Sequence, residues 1–214
     1  MSQQEKQVVY KATNTYLTLN ERTPKTKNVW LVFHGIGYLS KFFIKYFDGL
    51  PADKNYIIAP QAPSKYYLNN QYKHVGASWL TKEKTTQETA NILSYIDEVY
   101  TSEQLDNHQN LIVFGYSQGV SIATRWVAKR KIKCSRLILY AGGIPRELET
   151  ADFDFLDEQN TEITTLVGDK DEYIDEQILK TEAKRITTLF KGKAKQNIFD
   201  GKHEVKKEII NNLV

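Results

Sequence analysis

The 214-residue chain has a single cysteine, Cys134, so no disulfide can form within it. It follows Lys133 at the edge of an apolar run, and a thiol so placed reads as a buried structural side chain, not a nucleophile. Long apolar stretches are missing too. None approaches the ~20 residues that a helix needs to span a bilayer, and the opening MSQQEKQVVYKATNTY lacks the apolar centre of a secretion signal. A soluble, cytoplasmic protein without stable membrane insertion is the expectation. Blocks of one charge are also absent: 29 Lys and Arg are interspersed with 26 Asp and Glu, for a net charge of +3. That pattern argues against nucleic acid or an anionic membrane as partner. There is neither an internal repeat nor a low-complexity linker.

What is present is ordinary globular material, 41% hydrophobic and 26% charged, in a length that suits one α/β domain over residues 1–214 with a sizeable core. Val8–Leu19 alternates well enough for one or two edge strands. Val29–Phe33, Tyr56–Ala59 and Leu111–Phe114 are short continuous apolar runs, as expected of strands buried on both faces. Arg136–Tyr140, Glu162–Val167 and Gln196–Phe199 complete the set. Helical spacing covers Leu39–Leu50, Lys84–Tyr100, Gln118–Arg130, Ile174–Phe190 and Val205–Leu213. Residues 60–80 read as a long loop rich in Pro, Tyr and Asn, of the kind that is often functional. Strands alternating with helices predict a mostly parallel sheet covered on both faces, with ligands bound beyond the carboxyl ends of the strands.

The sharpest signal is Gly115-Tyr116-Ser117-Gln118-Gly119, between a buried strand and a helix. Gly-x-Ser-x-Gly in that context is a nucleophile elbow: a strained turn that holds a serine above the sheet at a helix N-terminus. The bland reading is a glycine-flanked turn with an idle serine. A serine hydroxyl needs a base, and the base an orienting acid. In this fold the order along the chain is serine, acid, histidine. His203 alone lies downstream of Ser117, just past the last expected strand. His34, His74 and His108 precede it; His108 reads as solvent-facing, and His74, in the long loop, as a possible substrate contact. The acid falls in Gly168-Asp169-Lys170-Asp171-Glu172, where Asp169 suits the turn itself and Asp171 reaches farther out. Spacing leans to Asp171 without deciding. Oxyanion donors are expected at the backbone N–H of Gln118 and, from the loop His34-Gly35-Ile36-Gly37, of Ile36. His34 would brace that loop.

These motifs together resemble a known family. HGIG, PQAP (60–63), ASW (77–79), GYSQG, GDKD and GKHEV stand in the order found in the phospholipase/carboxylesterase group of α/β-hydrolases, which includes acyl-protein thioesterases. The likeness runs from about Val29 to the C-terminus. It implies an α/β-hydrolase fold without a separate lid domain, a catalytic set of Ser117, Asp171 and His203, and oxyanion donors Ile36 and Gln118. The family's G-x-x-D maps onto Gly168 and Asp171, which selects Asp171 over its neighbours. Two positions depart from the family pattern: Tyr38 stands where it usually has Asp, and Val120 where it has a second Gly. Neither carries a triad role.

The reading that follows is a serine esterase acting on small-molecule carboxylic esters, with acyl-thioesters or lysophospholipids as the alternative, and needing no metal or organic cofactor. A peptidase of the same fold is disfavoured because the chain has no room for a large cap. A catalytically silent binding protein is disfavoured because all three triad positions are filled. Tyr38, Tyr66, Tyr67 and Trp79 are expected to wall the acyl pocket, Trp79 with core packing as an equal alternative. Such bulky walls predict short chains of roughly two to eight carbons, since each buried CH₂ contributes ~0.8 kcal/mol only until the cavity ends, and no rate jump at micelles.

Overall fold

The computed structural model describes residues 2–107, 110–174 and 176–214; His108 lies outside them. Among the described residues, seven strands form one sheet in the order β1-β3-β2-β6-β7-β8-β9: β1 (Tyr16–Leu19), β2 (Asn28–Phe33), β3 (Asn55–Pro60), β6 (Leu111–Tyr116), β7 (Arg136–Tyr140), β8 (Glu162–Gly168) and β9 (Lys195–Phe199). All neighbours are parallel except β1, which runs antiparallel to β3. The apolar runs are the reason. In β2, Val29 to Phe33 are all fully buried, and β6 is buried throughout, which requires cover on both faces.

Helices supply that cover. They are α1 (Ser40–Phe43), α2 (Thr85–Ser102), α3 (Gln118–Arg130), α4 (Asp154–Glu158), α5 (Glu176–Leu189) and α6 (Lys207–Asn211). One core layer joins α2 and α3 to Val29, Leu31, Val113 and Leu139. The other joins α1 and α6 to Trp30, Val32, Phe114 and Tyr140. The strand order reverses direction at β2 and β6. Loops leaving two neighbouring strands toward opposite edges open a crevice there, the place where ligands of such sheets bind. No helix among the described residues is long and apolar enough to cross a membrane.

Three expectations change. The N-terminal strand is only Tyr16–Leu19, while Val8, Val9 and Tyr10 are exposed. Tyr16 pairs with Pro60 at the end of β3, and beyond that pair Gln61 N–H still donates to Thr15 O at 3.0 Å. The helix expected over 39–50 is one α turn followed by a 3₁₀ turn, Ile44–Phe47, a tightening common at helix ends. Residues 60–80 are not a loop but a hairpin, β4 (Ser64–Tyr67) paired with β5 (Val75–Ser78).

Candidate active site

Strand β6 ends in the turn that sequence anticipates. Ser117 has φ 51° and ψ −118°, a conformation that is costly for a residue with a side chain and that clusters at functional sites. The turn needs its glycines. A Cβ on Gly119 would stand 2.1 Å from the Phe33 carbonyl oxygen, and one on Gly115 2.6 Å from that of Gly119. The Ser117 N–H donates to Tyr140 O at 2.9 Å, anchoring the turn to β7.

The Ser117 hydroxyl meets the loop that follows β9. His203 Nε2 lies 2.9 Å from Ser117 Oγ, and His203 Nδ1 lies 2.8 Å from Asp171 Oδ2. The Asp171 side chain is fully buried and that of His203 partly so. A carboxylate only accepts, so Nδ1 carries the proton and Nε2 presents its lone pair to the hydroxyl. The ring is flanked by Tyr173, edge-on at 4.8 Å, and Tyr116 at 5.4 Å. The Tyr116 hydroxyl also donates to His203 O at 3.0 Å.

The three acidic candidates of the 168–172 turn each hold something different. Asp169 Oδ1 accepts from Gly201 N–H at 2.9 Å. Asp171 Oδ1 accepts from Tyr173 N–H at 3.0 Å while Oδ2 faces His203. Glu172 Oε2 accepts from His203 N–H at 3.2 Å. Hydrogen bonds from its own and the His203 backbone hold the Glu172 carboxyl below its usual range. All three acidic side chains of the turn thus hold residues 201–203, a role for Glu172 that spacing does not reveal.

Opposite lies the His34–Gly37 loop. Ile36 and Gln118 both line the cavity beside Ser117. Among the described residues, neither backbone N–H has a hydrogen-bond partner. His34 is fully buried. Its Nδ1 donates to Gly35 O at 2.8 Å and its Nε2 accepts from Ala62 N–H at 3.1 Å. That arrangement needs the neutral ring, and burial lowers its pKa from 6.5 to about 4. The unfolded chain therefore binds a proton that the folded one refuses between those values, so stability falls as pH drops through that window. The loss approaches about 3 kcal/mol at pH 4. Urea midpoints at pH 7 and pH 4.5 should separate by more in the wild type than in His34→Gln; equal separations would contradict the assignment.

The hairpin braces this loop from outside. Gly37 N–H donates to Ala77 O at 2.8 Å, and Trp79 Nε1 donates to His34 O at 2.8 Å. Gln118 closes the circuit: its side-chain oxygen accepts from Trp79 N–H at 2.8 Å, and its amide nitrogen donates to Leu80 O at 2.7 Å. The glutamine after the serine thus ties the elbow to the hairpin, a function that the five-residue motif alone does not disclose.

A cavity of about 840 Å³ opens over Ser117. Tyr38 lines it, packed edge-on against Tyr116 at 5.8 Å. Tyr66, Tyr67 and Trp79 do not. Trp79 is a core residue, 1% exposed, and Tyr66 and Tyr67 lie on the exposed hairpin, where Tyr67 meets Tyr72. His74 is exposed on the same hairpin. Residues 60–80 are therefore a brace and not a wall, because β5 binds Gly37 through its backbone and Trp79, just after it, packs into the core. The cavity runs the other way, past Gly142, Gly143 and Ile144 toward β8, β9 and α5. Cys134 is buried away from it, its thiol pushed up to about 12 by desolvation.

A mostly parallel sheet with helices on both faces, an elbow after a central strand and a cavity above it define an α/β-hydrolase. The phospholipase/carboxylesterase family model matches residues 14–213, so the chain belongs to that family and is a carboxylic ester hydrolase. Solved structures share the fold at low identity. Acyl-protein thioesterase 2 of Zea mays is 13% identical, with 94% of this chain and 96% of that one covered, at a TM-score of 0.72. A phospholipase/carboxylesterase from Dyadobacter fermentans is 18% identical, with 96% and 98% covered, at 0.65. The Bacillus cereus carboxylesterase is 14% identical, with 94% and 92% covered, at 0.63. A search of curated proteins found no match.

Proposed function

We propose that the protein hydrolyses carboxylic esters, and thioesters of the same acyl groups, by a serine mechanism using Ser117, His203 and Asp171. The observation that carries this is the unbroken hydrogen-bonded chain from Ser117 Oγ through His203 to the buried Asp171. Ser117 Oγ attacks the acyl carbon as its proton passes to His203 Nε2. Asp171 holds the imidazole tautomer and stabilises the imidazolium. The tetrahedral oxyanion takes hydrogen bonds from the Ile36 and Gln118 backbone N–H groups, helped by the N-terminus of α3. The bond to the leaving oxygen or sulfur breaks, and His203 returns the proton to it. Water, deprotonated by His203, then attacks the acyl-enzyme, releasing the acid and restoring Ser117.

The test pairs activity with chemistry. Purified protein should hydrolyse p-nitrophenyl butyrate and lose that activity on treatment with a fluorophosphonate, with one adduct mass on the peptide holding Ser117. Inactivation with the adduct on another peptide would defeat the proposal.

A further inference from the structure

His203 stands on a stretch that no regular element holds. Strand β9 ends at Phe199 and α6 begins at Lys207. Among the described residues, neither backbone group of His203 bonds to another backbone group. Its N–H donates to Glu172 Oε2 at 3.2 Å, and its carbonyl accepts from the Tyr116 hydroxyl at 3.0 Å. Side chains therefore set the position of the imidazole. A group that moves protons must be held within about 0.5 Å and 10–20° of its productive geometry. For His203 that geometry points Nε2 at Ser117 Oγ, 2.9 Å away.

Three consecutive residues reach His203 in three different ways. Asp171 Oδ2 meets ring Nδ1 at 2.8 Å. Glu172 takes the peptide N–H. Tyr173 sets its ring against the imidazole, with 4.8 Å between centroids and 78° between planes. The Tyr173 N–H donates back to Asp171 Oδ1 at 3.0 Å, so the acid and the aromatic ring belong to one tight turn. Asp171 alone would leave two motions free. The imidazole could pivot about its single hydrogen bond at Nδ1, and the chain behind it could shift. The peptide contact removes the second motion and the ring contact the first. Neither residue serves the core: Glu172 is exposed and Tyr173 is 69% exposed. What the Tyr173 ring does meet is the imidazole, in the edge-to-face arrangement that aromatic pairs prefer.

We infer that Glu172 and Tyr173 are positioning residues for His203: Glu172 fixes its peptide and Tyr173 its ring, so that Nε2 stays aimed at Ser117. The inference rests on the serine-esterase reading and adds two residues to it. Both also line the cavity, so contact with substrate is the rival role, and kinetics separates the two. A misplaced base lowers kcat and kcat/KM together, whatever the acyl group. A lost substrate contact raises KM and varies with the acyl group.

The experiment measures kcat and KM for p-nitrophenyl acetate and butyrate in the wild type, Glu172→Ala, Glu172→Gln, Tyr173→Ala and Tyr173→Phe. Melting temperatures and the rate of fluorophosphonate labelling at Ser117 are recorded alongside. Both alanine variants should melt with the wild type, because the side chains removed are exposed. Each should lose on the order of 10- to 100-fold in kcat and kcat/KM alike, the scale of loss that a misplacement of about 1 Å brings, and by the same factor on both esters. Labelling should slow in step, since attack of Ser117 on phosphorus needs the same base. Glu172→Gln keeps an oxygen for the His203 N–H and Tyr173→Phe keeps the ring, so both should recover most of the loss. Tyr173→Leu, apolar without a ring, decides for that position should Tyr173→Ala not fold. Alanine variants that work at wild-type rates would overturn the inference. So would losses confined to KM or differing between the two esters, and so would losses that the Gln and Phe replacements share in full. In each of these cases a wild type that hydrolyses esters and labels at Ser117 leaves the esterase reading standing. A wild type that does neither removes that reading, and the inference with it.

Discussion

Ser117→Ala should lower kcat/KM for ester hydrolysis by at least ~10³-fold with the fold unchanged. The substitution removes one oxygen and leaves the rest of the elbow in place. The tight contacts of the turn come from Gly115 and Gly119, not from the serine side chain, and the Ser117 N–H bond to Tyr140 survives because it is a backbone bond. Alanine has no easier time at φ 51° than serine, so the strain is the same in both. What disappears is the proposed nucleophile, the atom that would form the acyl-enzyme. The proposed oxyanion donors and the cavity remain, and they would account for whatever rate is left. Steady-state kinetics on p-nitrophenyl butyrate, with thermal melts of both proteins, decides the matter. A variant that retains near-normal turnover would show that attack comes from another group or from water alone.

Most of the site's skeleton is legible from local signals. Continuous apolar runs mark β2, β3 and β6 because burial on both faces removes the alternation that an exposed strand would show. The elbow is legible because only glycine fits where Gly119 meets the Phe33 carbonyl. The loop at His34 is legible for the same kind of reason, a histidine and two glycines directly after a buried strand. What escapes is whatever depends on a partner distant in sequence. The hairpin of β4 and β5 is held by pairing between two four-residue strands and by its bonds to Gly37 and His34, and neither leaves a periodicity strong enough to read. Tyr66 and Tyr67 look like pocket walls in a list of aromatics, yet which side of a hairpin they occupy is fixed by that pairing. Helix α5 is the plainest case. Its apolar stripe says that one face turns inward, but whether the facing sheet closes on it is set by Arg185 and Gln196 reaching segments 40 and 13 residues away.

Asp171→Asn should cost on the order of 10⁴-fold in kcat, through the imidazole tautomer, whereas Asp169→Asn should leave most activity and cost ~1 kcal/mol of stability. The two carboxylates are separated by one residue, and the geometry around each explains the contrast. At position 171 the carboxylate accepts twice, from Tyr173 N–H through Oδ1 and from His203 Nδ1 through Oδ2. An asparagine has one accepting atom. If its oxygen stays on Tyr173 N–H, its NH₂ group faces Nδ1 and the imidazole must place its proton on Nε2, toward the serine. A ring so protonated cannot take the hydroxyl proton. If the amide flips, its NH₂ meets the Tyr173 N–H donor to donor in a fully buried position, and the turn loses its own hydrogen bond. At position 169 the carboxylate accepts from Gly201 N–H, and an amide oxygen can do the same, so the clasp on residues 201–203 persists. Kinetics of both variants across pH 5–9, together with their melting temperatures, separate the roles. The decisive result is the ranking: if Asp169→Asn proved the more damaging to kcat at equal stability, the orienting acid would be the wrong one of the pair.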